Sequence, residues 1–320
     1  MAISDLSLML AKVEASYATW AAPAPATDAS VIFGYQMTPI EGEDVRRQTE
    51  RGFHGTNPSR RTAKRQRHQF SQELTGAGTV DGVAHWGKFT RGCQFGAAVP
   101  VAATECGYPL IGVGDGGSLS LAGNKGNAFD LRGKGSRGNM TISLVEKQLP
   151  SIAWDYMGLH QDEANIITPS SPAGVVLPVY PPPVEVSLIN TVVQLFGVTL
   201  GVRSFELNMG NKLEYYSTTA TRQVVFGKDE SGSARSPRAR VVFELPDLGV
   251  RNFFTDIASG VGGAFSLVHG LVAGNIVEIA SANAVLTDAE FTVEANRIFL
   301  SANLDFVSTA AGNDFTLKTK

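Results

Sequence analysis

The chain has 320 residues, 43% of them apolar and 18% charged, with a formal net charge of −3. Such a length accommodates two domains of ordinary size, and the apolar content excludes a chain disordered throughout. The small net charge excludes a whole-molecule attraction to nucleic acid or to an anionic membrane, so any such attraction must be local.

From the N-terminus, residues 1–30 form an arm in which Met1–Trp20 is expected as a short helix. Asp5 stands where a secretion signal carries positive charge, and Lys12 and Glu14 interrupt the apolar run. No segment approaches the ~18 consecutive apolar residues of a membrane span. Alternating apolar and polar residues predict strands at 31–37, 69–74, 118–121, 140–145, 192–200, 202–207, 240–245 and 298–306. Their flanks are rich in the turn formers Gly, Asn, Asp and Pro. Helical spacing is confined to Trp86–Phe95 and to Val250–Ala258, the second with Phe253, Phe254 and Ile257 on one face. The expected fold is therefore mainly β.

Six of the fifteen prolines fall in Pro169–Pro183, a run that excludes helix and reads as a stiff linker between 31–168 and 184–320. Both parts show one order of events: strand, long polar loop, returning strand, Gly-containing turn, short aromatic helix. Phe33 to Phe205 is an offset of 172 and Phe70 to Phe243 one of 173. The order predicts a duplicated β-domain; two unrelated β-domains sharing a common supersecondary order are the alternative.

The strongest local feature is a basic loop, with Arg46, Arg47, Arg51, Arg60, Arg61, Lys64, Arg65 and Arg67 set against the single carboxylate of Glu50. That is +7 within 22 residues, leaving −10 on the other 298. Three readings compete: a nucleic-acid-binding arm, a solvated charged loop, and an arm docking on the acidic body of a neighbouring copy. No stacking aromatics beyond Phe53 accompany the charges, and complementary charge fixes register in assemblies, which favours the docking arm.

Signatures of catalysis are thin. Gly112–Gly117 fits G-x-G-x-x-G, but Ser118–Leu121 alternates like a strand where a dinucleotide site needs a helix N-terminus. The five histidines, His54, His68, His85, His160 and His269, are scattered. A Cys93/His85 pair has no third group to orient it. Cys93 and Cys106 are too few for a disulfide framework and lack zinc-site spacing, so assembly in a reducing cytosol is expected. No catalytic residue, cofactor or metal is assigned.

Several stretches together resemble the tail tube proteins of siphophages, the long-tailed bacteriophages. They begin with Glu14–Trp20 followed by Pro23 and Pro25, Met37–Glu43 leading into the basic loop, Phe70–Gly78, and Trp86-Gly87 with Arg91–Phe95. Beyond the linker they continue with Pro181–Pro183, Val198–Leu207, His269-Gly270, Gly274-Asn275 and Gly312–Leu317. No one motif is specific; the order over nearly the whole chain carries the likeness.

The resemblance implies tandem tail-tube-type β-sandwich domains, each with a short flanking helix and a long hairpin loop. It implies rings that stack into a hollow virion tube, assembled in the host bacterial cytoplasm, with the basic loop as the inter-ring contact. Implied partners are further copies of the chain, a tape-measure protein in the lumen, and tail terminator and distal tail proteins. Phage DNA would pass without specific binding, and no membrane is involved. Because the resemblance implies sixfold rings of single domains, a two-domain chain is expected to close a ring with three copies; true hexameric rings are the alternative, and a decoration protein a further one. A basic lumen would retain DNA, so the lumen is expected net negative and the basic loop shielded between rings.

Overall fold

The computed structural model describes residues 7–50, 55–125, 129–160, 167–168, 174–228, 232–294 and 296–320. Among the described residues strand dominates, and every named strand pairing is antiparallel.

The first half begins with β1 (Ser7–Val13) and β2 (Ala29–Ser30), followed by the hairpin of β3 (Phe33–Arg46) and β4 (Ser59–Glu73). A single helical turn, α1 (Gly87–Thr90), and a small hairpin of β5 (Val99–Val101) and β6 (Glu105–Tyr108) come next. The half ends with β7 (Leu119–Lys125), β8 (Phe129–Val145), β9 (Ser151–His160) and β10 (Ile167–Thr168).

The second half repeats the plan. It has β11 (Thr191–Leu195), β12 (Val198–Leu200), a hairpin of β13 (Val202–Asn208) and β16 (Arg238–Glu244), and helix α2 (Phe253–Ser259). Then follow β17 (Gly263–His269), β18 (Val277–Glu294), β19 (Arg297–Phe306) and β20 (Thr316–Thr319). Within the β13–β16 connection stands a separate ribbon, β14 (Leu213–Ser217) with β15 (Arg222–Phe226).

Six pairings recur. In the first half β1 pairs with β2 and β7, β3 with β4, β4 with β9, β7 with β8, and β8 with β9. In the second, β11 pairs with β12 and β17, β13 with β16, β16 with β19, β17 with β18, and β18 with β19. Residue equivalence follows from register: Phe70 faces Trp154 across the β4–β9 pair, and Phe243 faces Leu300 across β16–β19. Each phenylalanine also meets a helix phenylalanine edge-on, Phe70 with Phe89 at 5.1 Å and Phe243 with Phe253 at 5.3 Å.

The 173-residue offset between Phe70 and Phe243 is thus the structural one. The 172-residue offset between Phe33 and Phe205 is not. Phe33 stands opposite Ser71 and is half exposed, whereas buried Phe205 stands opposite Val241 and corresponds to Met37 opposite His68. The offset from Met37 to Phe205 is 168, because the chain from Met37 to His68 is five residues shorter than that from Phe205 to Val241.

Strand pairing joins the halves at two places among the described residues. Val145–Thr141 of β8 pairs with Ser204–Asn208 of β13, and β20 bridges β18 to β6. An eight-stranded sheet in the order β3-β4-β9-β8-β13-β16-β19-β18 results. One row of paired residues crosses it as Gln72, Ile152, Ile142, Leu207, Ala239, Leu304 and Leu286. Cross-strand partners share a face, and this face belongs to a single buried cluster running from Met9 to Leu317 through both halves. Arg235 adds a polar tie: from the second half it holds Asp314 at 3.1 Å and donates to the Ile111 carbonyl of the first.

Several elements depart from the sequence reading. The expected N-terminal helix is strand β1, tied down by Glu14. The Glu14 carboxylate accepts from the Ser118 hydroxyl at 2.6 Å, and from the Ser120 hydroxyl and the Ala18 and Gly135 amides at 2.8 Å each. Residues 192–200 are two strands, broken by Phe196 and Gly197 at φ 53° and 83°, the left-handed pair of a tight hairpin turn. Only Gly87–Thr90 of Trp86–Phe95 is helical, whereas α2 lies within one residue of its expected end, capped by the Asn252 side chain and closed by Gly260 at φ 63°. The proline-rich run carries no strand or helix over 174–183. It is fastened by His85 stacked on Tyr180 at 3.9 Å and by Asn275 donating to the Pro182 carbonyl at 3.1 Å.

Candidate assembly interface

The basic segment is not the loop expected from its charge. Arg46 ends β3; Arg60, Arg61, Lys64, Arg65 and Arg67 sit on β4; only Arg47 is in the described connection, and Arg51 lies outside the described residues. Among the described residues, strand β9 accompanies β4 only as far as the Arg65–Leu159 pair. Ser59–Lys64 and the facing end of β3 therefore project beyond the sheet by about 20 Å at 3.4 Å per residue. Gly42 is required in this ribbon, because a Cβ there would fall 2.4 Å from the Thr62 carbonyl oxygen.

Pairing also brings acids that the charge count over 46–67 left aside. Arg61 forks onto Asp44 at 3.0 and 3.1 Å, and its hydrogen bonds hold the Asp44 carboxyl below the usual range. Arg65 meets Glu41 at 3.0 Å, and Arg67 holds Asp155 of β9 at 2.6 Å. Over 41–67 the eight cations face four acids, a net +4. The base of the arm is neutralised; Arg46, Arg47 and Arg60, near its tip, are exposed.

The corresponding connection of the second half does not project. Its β14–β15 ribbon folds back on the first half, where the Val224 amide donates to Tyr17 at 2.6 Å and Arg137 donates to the Val224 carbonyl at 2.7 Å. Val224 packs with Met157 and Leu159 there.

The sheet has two open edges. β3 pairs with β4 alone, and beyond Ala284 β18 has only β19; neither has another partner among the described residues. Register makes Met140 and Ile142 of β8 the counterparts of Phe291 and Val293 of β18, since Met140 faces Trp154 and Phe291 faces Leu300. Met140 and Ile142 are fully buried beside β13, while Phe291 and Val293 are 65% and 68% exposed. Sequence reasoning missed these two; the alternation in Ala289–Glu294 was the available signal.

The remaining candidates do not converge. Gly112–Gly117 carries positive φ at Gly114 and Gly116 and leads into strand β7, so no helix N-terminus faces it. Cys93 is buried against Tyr156 at 3.5 Å, and burial pushes its thiol up to about 12. His85 is occupied with Tyr180 and Thr75, and burial lowers it to about 4. Among the described residues no three His, Cys, Asp or Glu side chains are grouped to hold a metal, and no helix is long and apolar enough to cross a membrane.

Comparison with protein-family models and with curated proteins finds no match to this chain.

Proposed function

We propose that this chain is the tail tube subunit of a siphophage: two tandem tail-tube-type β-sandwich domains, polymerising as stacked rings into a conduit for DNA. What supports it is the junction inside the molecule. The outer sheet strand of the first half, β8, pairs with the outer sheet strand of the second, β13. The same positions are left unpaired at β18 and β3. Joining β18 of one copy to β3 of the next repeats the internal junction, covers Phe291 and Val293, and removes both edges. The contact is heterologous, so it generates a ring where its rotation closes.

Strand stagger supports closure too. The row through Ile142 reaches β18 at Leu286, whereas the counterpart of Ile142 is Val293, seven residues further on. A shift of this kind per repeat is what tilted strands of a closed barrel need. With two ring positions per chain, three copies close a pseudo-sixfold ring; six copies with the second half outside are the alternative.

The face opposite the core supplies the lumen wall in this proposal. Its paired rows include Gln69–Asp155–Asn139 and Ser143–Glu206–Arg240–Asn303, which are polar. Arg65 shares that face but is bound to Glu41 and sits near the Tyr215 ring of the folded-back ribbon, 5.9 Å from its centroid. A DNA-binding role for the arm is less favoured because Arg61, Arg65 and Arg67 already hold carboxylates. The tape-measure, terminator and distal tail proteins remain the partners implied by a tube.

Negative-stain electron microscopy of concentrated purified protein is the test. Long hollow tubes with a regular axial repeat are expected. Protein that stays monomeric at every concentration, or forms only isolated decorations, would overturn the proposal.

A further inference from the structure

The eight-stranded sheet has two unlike ends. At one, where β3, β9, β13 and β19 finish, the basic arm projects. At the other, where β4, β8, β16 and β18 finish, a recess of about 310 Å³ opens between the end of β8, the start of β11, the end of β12 and the start of β13. Leu144, Val202 and Phe205 form its floor, Leu188 stands at its mouth, and Glu146 and Glu244 line it.

Charge and exposure distinguish this recess from an ordinary gap in packing. Leu188 and its neighbour Ile189 are 92% and 72% exposed, an apolar pair beside the recess. Glu185 is exposed in the segment that passes Gln148, where Val186 exchanges backbone hydrogen bonds with Lys147 and Gln148. Arg203, the single lining cation among the described residues, is bonded to Glu294 and lies over the Phe299 ring at 4.2 Å from its centroid. Glu244 is held by Arg297, and Glu146 lies 3.6 Å from the exposed Lys147, so a cationic group entering the recess would meet Glu146 in competition with Lys147, with exposed Glu185 on the adjoining segment.

The arm has the matching chemistry. Val45 is 56% exposed on β3, followed by exposed Arg46 and Arg47, with Arg60 opposite on β4. One arm projects per chain, since the equivalent ribbon of the second half is folded back onto Tyr17 and Arg137. One recess is preformed per chain, because the equivalent position beside β18 arises only between copies. The arm extends along the strands, not sideways, so it reaches an axial neighbour.

We propose that the recess lined by Glu146 and Glu244 is the receptor for the Val45–Arg47 stretch, near the outer end of the arm, from a second copy of this chain in the adjacent ring. Val45 seats on the apolar floor, and Arg46 and Arg47 meet Glu146 and Glu185. This rests on the tube reading but is separable from it: rings and tubes would also form if the arm docked elsewhere.

The test places cysteines at Val45 and Ser187 in one chain, Val45→Cys with Ser187→Cys; the native Cys93 and Cys106 are buried. Oxidised tubes should yield a ladder of disulfide-linked chains on a denaturing gel, and each single variant should give none. Normal tubes without a ladder would overturn the receptor assignment and leave the tube intact; absence of tubes from the unmodified protein would overturn both. Charge reversal gives an independent readout. Arg46→Glu with Arg47→Glu should stop growth at isolated rings, and adding Glu146→Arg with Glu185→Arg should restore tubes. Unimpaired stacking by the first pair would count against the proposal.

Discussion

Strands β4 and β16 hold the same place in the two halves and have opposite interiors. Matching Phe70 to Phe243 sets Gln66, His68 and Gln72 on Ala239, Val241 and Leu245. Gln66, His68 and Gln72 are as buried as Ala239 and Val241. His68 meets the Tyr35 hydroxyl at 2.9 Å, and Gln72 accepts from the Trp154 indole at 3.1 Å. A shared pairing scheme thus tolerates either a polar or an apolar seam, and in the polar one the Gln66 amide and the Nε2 of His68 are buried with no hydrogen-bond partner among the described residues. The repeat lives in strand order and register and is scarcely visible in residue identity.

The sharpest way to probe this equivalence is at Met140 and Phe291. Met140→Ala should cost about 2–5 kcal/mol in a urea titration, as for a buried large-to-small change. Phe291→Ala should leave the monomer within about 0.5 kcal/mol, as at exposed sites, while tube formation is lost. Equal destabilisation of the monomer by both would break the assignment of β18 as an open edge.

Acid separates the two interiors next. Burial lowers His68 from 6.5 to about 4, and its counterpart Val241 does not titrate. Above pH 6.5 the histidine is neutral in both states and stability is full. As pH falls below 6.5 the unfolded chain binds the proton first, so stability declines until about pH 4 and then levels off. At pH 5 the loss from His68 is about 2 kcal/mol. His85 shifts in the same direction. Removing the hydrogen-bonded pair, with Tyr35→Phe and His68→Val together, should cost on the order of 1–3 kcal/mol at pH 7 for the cavity that the smaller valine leaves. It should also flatten the slope between pH 7 and 5, and an unchanged slope would place the titration elsewhere.

The smallest effect is expected in the arm. Asp44→Ala releases an exposed arginine and should leave the thermal denaturation midpoint nearly unchanged. A marked fall in the midpoint would mean that the arm contributes to the fold and is not an appendage.

What was legible in the sequence follows from where a strand has one wet face. Met140–Val145, Val202–Leu207, Arg240–Leu245 and Ile298–Phe306 alternate because one face meets the core, and each lies in a strand or overlaps most of one. The arm gave no such pattern, since a ribbon beyond the core has no buried face, and its charges resembled a loop. Trp86, Phe89 and Cys93 have helical spacing, but they are buried through turns around a single helical turn. The open edges were unreadable because nothing in a strand's own residues says whether a neighbour follows.

A three-dimensional reconstruction of assembled tubes tests the central claim most directly. The account predicts three chains per ring, with β18 of each hydrogen-bonded to β3 of the next and with Phe291 and Val293 as buried as Met140 and Ile142. Rings in which β18 keeps a free edge and Phe291 faces solvent would contradict it.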